Sequence, residues 1–540
     1  MNIFKTLMTA AAAAVALSGY AQSVEVVQVK YSDGVIDYIP AEEVARISIS
    51  KSLDSESPAF NKVITMFGRL KEIFLVSSNH FDFGYPAIMI GLDSQTEDMA
   101  APESGYNWFS AWSSFSKGNV WNNALMWRYM YNAIASANDV IANTDTDNDE
   151  NKLLVAQARG LRSWAYWNLV QTYAPNPAFV PDAKGIVILP GTTTEGTYPE
   201  ASVRDVYALI TEDIDQAIEL LGNNELAPAN LDVPDAKRYI DLGVAYGLRA
   251  RYNLTQHKYA EAAADARHAI ETTSARLLQR AAAAYPGFND SKLGNWMWSI
   301  IVRPTDAAAI SGIANFSSMV SSLSYGYTAV GISRCCGTDL HNYLEQNPDD
   351  VRRNWFVDDS WESHVLTESQ NRYVNSNFNG SACKWPNIKF DAYLSKVGTN
   401  DNAADVPLMR VEEMYLIEAE GLAMSGRIAE ALDVLNSFVH DYRNASYDFT
   451  SIDPAEIQNE IIWQRRAEFW GEGLAFFDKL RLQLDVNRLE DENWPENVRY
   501  GIRGGSDWMR YNYVQLQPFV EGVDYEAIST VTPAPGEWND

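Results

Sequence analysis

A chain of 540 residues can bury a substantial core, and its length leaves room for roughly two to four domains. The 71 acidic and 42 basic side chains give a net charge of −29, which argues against nucleic acid and anionic lipid as partners, because both are polyanions. Three cysteines, Cys335, Cys336 and Cys383, are too few and wrongly spaced with histidine for a zinc site. Adjacent cysteines rarely bridge each other, so Cys383 has either Cys335 or Cys336 as a possible partner in an exported protein.

The N-terminus reads as a secretory signal: Lys5, an apolar run from Leu7 to Leu17, then small residues that place a cleavage site after Ala21. The run is too short to span a bilayer, and no later segment reads as transmembrane. In "VEVVQVKYSDGVIDYIP", apolar and polar residues alternate on either side of Asp33-Gly34, a hairpin turn signal, and "VARISIS" looks like a further strand. The expected layout is a signal peptide at 1–21, a small β element and linker at 22–58, and one large domain at 59–540.

Helical periodicity dominates that domain. "WRYMYNAIASANDVIANT" (Trp127–Thr144) places Met130, Ile134 and Ile141 on one face. Asn151–Ala174 is a longer amphipathic segment that stops before Pro175. Ala201–Leu221 follows a long loop, with Ser202 and Asp205 in a capping arrangement. Two later segments share one pattern: Ala250, Tyr259 and Ala262 in the first, and Ala419, Ile428 and Ala431 in the second. Small residues at that interval let antiparallel helices approach across a short turn, as in tetratricopeptide hairpins, and 151–174 with 201–221 form a third candidate pair. Plain amphipathic helices are the competing reading. From about 273 to 405 the pattern breaks into Ser, Asn, Gly and aromatics, with "NWMWSIIV" (Asn295–Val302) as an isolated strand. Ordering so large an irregular insertion is costly unless it does something.

The usual catalytic patterns are missing: no H-E-x-x-H, P-loop, G-x-S-x-G elbow or dinucleotide fingerprint occurs, and nothing calls for a cofactor. Metal binding stays open, since loops rich in Asp and Asn can hold calcium, although no EF-hand pattern is present. The sequence does carry sixteen Trp and twenty-eight Tyr. An aromatic ring suits the C–H face of a sugar while hydroxyls bond elsewhere. Trp127, Tyr131, Trp164, Trp167 and Trp463 fall in periodic helices and Trp298 in a strand, so these are expected to be packing. Tyr106, Trp108 and Trp112 in "ESGYNWFSAW", and Tyr325 and Tyr327 in "SSLSYGYTAV", lie in irregular segments and are candidates for ligand contact. Burial under a loop is the competing reading for each.

Several segments, in order, resemble the SusD/RagB family of nutrient-binding proteins: "ARGLRSWAYWNLVQTYA", "ASVRDVYALITEDIDQAI", "NPDDVRR", "DVPLMRVEEMYLIEAEGL" and "IIWQRRAEFWGEGLAFFDKLR". The last two are the more specific, and the resemblance covers roughly Phe60 to the C-terminus. It implies a mainly α fold, a TPR-like helical hairpin scaffold with a large irregular insertion and the small N-terminal β element. It also implies non-catalytic capture of an oligosaccharide at the outer face of the outer membrane, with a SusC-like TonB-dependent barrel as partner. The family's ligand-facing aromatics would fall near Trp108 and near Tyr325 and Tyr327. Two positions depart from the pattern, Gln464 for a Glu and Ala475 for an Arg. A third departure is Tyr20, which follows Leu17-Ser18-Gly19 where a lipoprotein carries its lipidated cysteine. The expectation is therefore a protein held through its barrel partner, with loss of the cysteine in this protein, or attachment through the N-terminal β element, as the other readings. A TPR-type envelope adaptor and a secreted glycan hydrolase are the alternatives from other classes.

Overall fold

The computed structural model describes residues 58–102, 121–191, 196–224, 226, 236–327, 334–499 and 501–505, with short strand segments at 11–12, 26–30, 36–40 and 523–525. The chain divides into two compact units, 1–51 and 52–540. In the first, β1 (Val26–Lys30) and β2 (Ile36–Pro40) pair antiparallel, with Lys30 opposite Ile36 and Val26 opposite Pro40. That is the hairpin expected around Asp33-Gly34, and Ala11–Ala12 adds a rung against Val27–Gln28. The strand expected at "VARISIS" lies outside the described residues.

The second unit is helical and opens with α1 (Pro58–Gly68) and α2 (Tyr85–Asp93), followed by α3 (Trp121–Ala142) and α4 (Asp149–Tyr173). Asn148 caps α4 by accepting from the Asn151 N–H at 2.9 Å, and Asp149 and Glu150 occupy the first turn, where the helix dipole favours them. Ser202 caps α5 (Val203–Gly222), accepting from the Asp205 N–H at 3.1 Å. Asp213 of α5 is fully buried and receives Arg159 and Arg162 of α4, each at 2.7 Å. These two helices are thus a packed pair despite the long loop between them.

The other two hairpins are α6 (Leu242–Thr255) with α7 (Tyr259–Thr272), and α9 (Val411–Met424) with α10 (Ile428–Tyr442); α8 is Thr338–Glu345 within the insertion. Ala250, Ala262, Ala419 and Ala431 are all completely buried, as close helix approach requires. Gly421 of α9 lies so near α7 that a Cβ there would stand 2.4 Å from the Tyr259 carbonyl oxygen. Arg251 and Glu413, paired at 2.5 Å, and Arg267 and Glu418 at 2.7 Å, join the two hairpins. The scaffold is therefore TPR-like, with α11 (Pro454–Glu468) and α12 (Ala475–Leu482) completing it. No helix among the described residues is long and apolar enough to cross a membrane.

The strand expected to be isolated is not. After the two-residue strand β3 (Met99–Ala100), β4 (Trp296–Ile300) pairs antiparallel with β6 (Val406–Arg410), and every residue of both is buried. Burial on both faces removes the alternation that would mark a strand partner, so "VPLMR" gave no local signal. β5 (Cys335–Cys336) pairs with β3, and the open choice of disulfide resolves to Cys335–Cys383, with Cα atoms 6.2 Å apart. Cys336 stays a buried thiol, and burial raises its pKa well above the ordinary value.

At the junction of insertion and scaffold sits a buried cluster of charges. Glu468 receives Arg443 at 2.7 and 2.8 Å and Arg410 at 2.8 Å. Glu472 receives Arg410 at 2.8 Å and Lys389 at 2.6 Å. Glu412 pairs with Arg443 at 3.0 Å, and Arg352 with Asp350 at 2.6 Å. Burial alone would raise the Glu468 carboxyl, but Arg443 and Arg410 hold it well below the usual carboxylate range. Its stabilising contribution is therefore present above the unfolded carboxylate pKa and is lost only as pH falls through the lower folded value. Glu468→Gln leaves buried cations uncompensated and is expected to cost about 3–5 kcal/mol, read as a lower urea midpoint. An unchanged midpoint would show the cluster to be dispensable.

Asp93 makes the opposite pH contribution. It accepts from the Gly473 N–H at 3.0 Å, yet burial pushes its carboxyl up to about 7. Between roughly pH 4, where an unfolded Asp ionises, and 7, the unfolded chain releases a proton that the fold retains. Stability is eroded as pH rises across that window. Asp93→Asn should therefore raise the melting temperature relative to wild type more at pH 8 than at pH 4, and thermal melts at the two pH values check it.

Candidate functional site

Three stretches of short helical turns and loop converge at one end of the insertion: 309–312, 317–327 and 392–402. Asn402, almost fully buried, ties them by donating its amide to the Gly312 carbonyl at 2.8 Å and to the Tyr325 carbonyl at 3.3 Å. The Tyr325 N–H donates to the Thr399 carbonyl at 3.0 Å, and the Gly398 N–H to that of Leu323 at 2.9 Å. Ser324 Oγ donates back to the Ser317 carbonyl at 2.7 Å. Tyr373, its phenol pKa raised by burial, donates to the Ser324 carbonyl at 3.0 Å. The loop is held by its own backbone bonds, so the aromatic side chains on it are presented from a fixed support.

Two tyrosines flank Gly326 on this support. Gly326 has φ of 137°, and a Cβ there would stand 2.1 Å from Ser318 Oγ, so the turn requires glycine. Tyr325 remains 45% exposed, a large apolar side chain left open to solvent. Tyr327 is half-buried and meets His80, its hydroxyl 2.5 Å from Nδ1 and the rings 6.0 Å apart. His80 belongs to a loop organised by Asp82, whose carboxylate accepts from the Val76 and Ser77 N–H groups at 2.6 and 2.7 Å and from the Tyr129 hydroxyl at 2.6 Å. Burial raises the Asp82 carboxyl, with the Tyr129 bond opposing. The surface thus joins the N-terminal part of the helical unit to the insertion.

Of the five candidate ligand contacts, Tyr325 and Tyr327 fall here, one exposed and one against His80. Tyr106, Trp108 and Trp112 lie outside the described residues. Trp127, Tyr131, Trp164, Trp167 and Trp298 are all buried, as expected for packing. Trp463 is partly exposed and is stacked on Tyr343 at 5.0 Å, with the Arg466 guanidinium 3.9 Å from its ring centroid. His80 carried no signal in the sequence, being a single histidine in a short loop. Among the described residues no group of three or more His, Cys, Asp or Glu side chains is placed to hold a metal ion. What the surface offers is flat aromatic area with polar tips.

One family model, described as "Starch-binding associating with outer membrane", matches residues 85–229, and a second, the SusD family, matches 318–520. The chain belongs to the SusD/RagB family. Among solved structures it is similar to a SusD-like carbohydrate binding protein from Bacteroides vulgatus, at 22% identity over 88% of this chain and 99% of that one, with a TM-score of 0.69. A SusD superfamily protein from Bacteroides thetaiotaomicron matches at 17% identity over 84% and 96% of the two chains, with a TM-score of 0.67. A laminarin binding SusD-like protein matches at 18% identity over 80% and 92%, with a TM-score of 0.58. No curated protein matches the chain.

The turn at Gly326 yields a direct test. Gly326→Ala forces a side chain into the Ser318 hydroxyl and is expected to destabilise the fold by about 1–3 kcal/mol. A melting temperature equal to wild type would show the loop to be looser than its hydrogen bonds imply.

Proposed function

We propose that this protein captures an oligosaccharide at the outer face of the bacterial outer membrane and passes it, without chemistry, to a TonB-dependent barrel of the SusC type. The observation that carries the reading is the match of residues 85–229 to a family described as starch-binding and associated with the outer membrane. The laminarin-binding neighbour supports a glycan as the ligand class. The Tyr325-Gly326-Tyr327 turn supplies aromatic surface on the insertion, and Tyr106, Trp108 and Trp112, which lie outside the described residues, belong to the same proposal as further ligand contacts. The net charge of −29 agrees with a partner other than nucleic acid.

Two measurements test the two halves. Oligosaccharides that bind should quench intrinsic tryptophan fluorescence, and Tyr325→Ala should weaken the affinity about tenfold, equivalent to ~1.4 kcal/mol. Because the ring is exposed, the melting temperature should stay at its wild-type value. Equal affinities would remove Tyr325 from the site. Gentle purification of the tagged protein from its native envelope should bring a large TonB-dependent barrel in stoichiometric amount; recovery of the protein alone would contradict delivery to such a partner.

A further inference from the structure

A separate cleft of about 340 Å³ opens beside the Cys335–Cys383 bridge, between α8, the turn that follows residue 355, and the segment carrying Trp385. Its volume lies at the small end of ligand pockets. Trp385 lines it, and its backbone sits at φ 57°, a left-handed conformation that a bulky residue adopts only when its surroundings enforce it. The enforcement is visible. Cys383 is tethered two residues earlier, the Cys336 N–H donates to the Trp385 carbonyl at 3.1 Å, and the Asn493 side chain bonds both the N–H and the carbonyl of Lys384 at 3.1 Å.

The ring is fixed as firmly as the backbone. The indole N–H donates to Asp359 at 2.8 Å, and the His341 imidazole stacks on it with centroids 3.5 Å apart and planes 7° from parallel. Burial lowers the His341 pKa, with Glu345 and Asp359 opposing. Part of the polar lining is already committed: Arg353 grips Glu345 at 2.7 and 2.8 Å, and Asp358 accepts from the Ser360 N–H at 2.8 Å. Part of it is not. Among the described residues, the side chains of Asn354, Glu362 and His364 make no hydrogen bond, and all three line the cleft.

A rigid aromatic pair beside an uncommitted carboxylate, amide and imidazole presents apolar surface and hydroxyl partners together. We propose that this cleft is a second carbohydrate subsite, taking one or two sugar residues against the His341–Trp385 pair and bonding their polar groups through Glu362 and Asn354. The proposal rests on the reading that the ligand is a glycan, but on none of the residues of the Tyr325 surface. The lining also sets specificity. Glu345, Asp358, Asp359 and Glu362 face a single guanidinium, that of Arg353. An acidic sugar would meet like charge there, so the site selects a neutral or amino-bearing sugar over a uronic one.

The test uses the full-length protein with three probes, glucosamine trimer, maltotriose and galacturonate trimer, and reads binding by saturation-transfer NMR with affinities from calorimetry. Glu362→Gln, an exposed position whose side chain makes no hydrogen bond, should weaken glucosamine trimer at least fivefold, and Trp385→Ala should weaken both non-acidic probes at least tenfold. Galacturonate trimer should neither bind at the cleft nor compete. If the tryptophan variant fails to fold, the glutamine variant alone decides. Wild-type affinities in both variants for every saccharide that binds would overturn the cleft and leave the glycan reading standing. Competition by galacturonate trimer would overturn the charge argument. Wild-type protein that binds none of the three overturns the subsite, and a wider screen for any saccharide then decides the glycan reading separately.

Discussion

Four cations and four carboxylates buried at one junction hold the helical scaffold and the insertion in a single arrangement: Arg352, Lys389, Arg410 and Arg443 against Asp350, Glu412, Glu468 and Glu472. Taking such charges from water is expensive, and it is tolerated where partners are complete and hydrogen-bonded. Here Glu468 uses both oxygens on two arginines, and Lys389 adds the carbonyls of Glu468 and Trp470 at 2.9 and 2.8 Å to its carboxylate. Burial still pushes the Lys389 ammonium down to about 8, against the pull of Glu472. The residues come from β6, α9, the end of α10, α11 and the turn after it, and the insertion, so none of these can shift register without stranding a charge. The aromatic loop and the cleft both hang from parts of the insertion that this junction fixes.

The same residues explain what the C-terminal family signature is made of. Arg410 and Glu412 precede "YLIEAE", while Glu468 and Glu472 lie in "RRAEFWGEG", and all four belong to the cluster. Arg465 pairs with Asp478 at 2.7 Å, and Arg481 with Glu420 at 2.6 Å. The motif is thus a record of ion pairs that assemble the fold, which is why it identifies the family without pointing to the ligand. The Gln464 departure fits this account. Its amide oxygen accepts from Arg352 at 2.6 Å and its nitrogen donates to Tyr343 at 2.7 Å, so a neutral side chain fills the place and the cluster stays balanced.

Legibility in the sequence followed the range of the interaction. Helices read well because their apolar spacing and caps are local: Ser202 caps where its Asp205 spacing says, and the paired alanines are buried at the hairpin contacts. The strand at Trp296 was legible but its partner was not, because a strand buried on both faces loses its alternation. The disulfide could not be chosen between adjacent cysteines, since opposite faces of a strand depend on tertiary placement. Tyr325 and Tyr327 stood out as aromatics in irregular chain, whereas His80, 247 residues from Tyr327, had nothing to mark it. The stacking of His341 on Trp385 is likewise a product of folding alone, although a tryptophan so near a cysteine was a signal that could have been read.

A scaffold fixed by buried charge, with an aromatic loop braced on it, is suited to recognition without rearrangement. The most direct test is hydrogen–deuterium exchange of the protein with and without a saturating oligosaccharide that it binds. The account predicts added protection in peptides covering 77–83 and 318–327, with the hairpins α6–α7 and α9–α10 unchanged. Protection confined to the hairpins, with the Tyr325 loop exchanging as before, would contradict it.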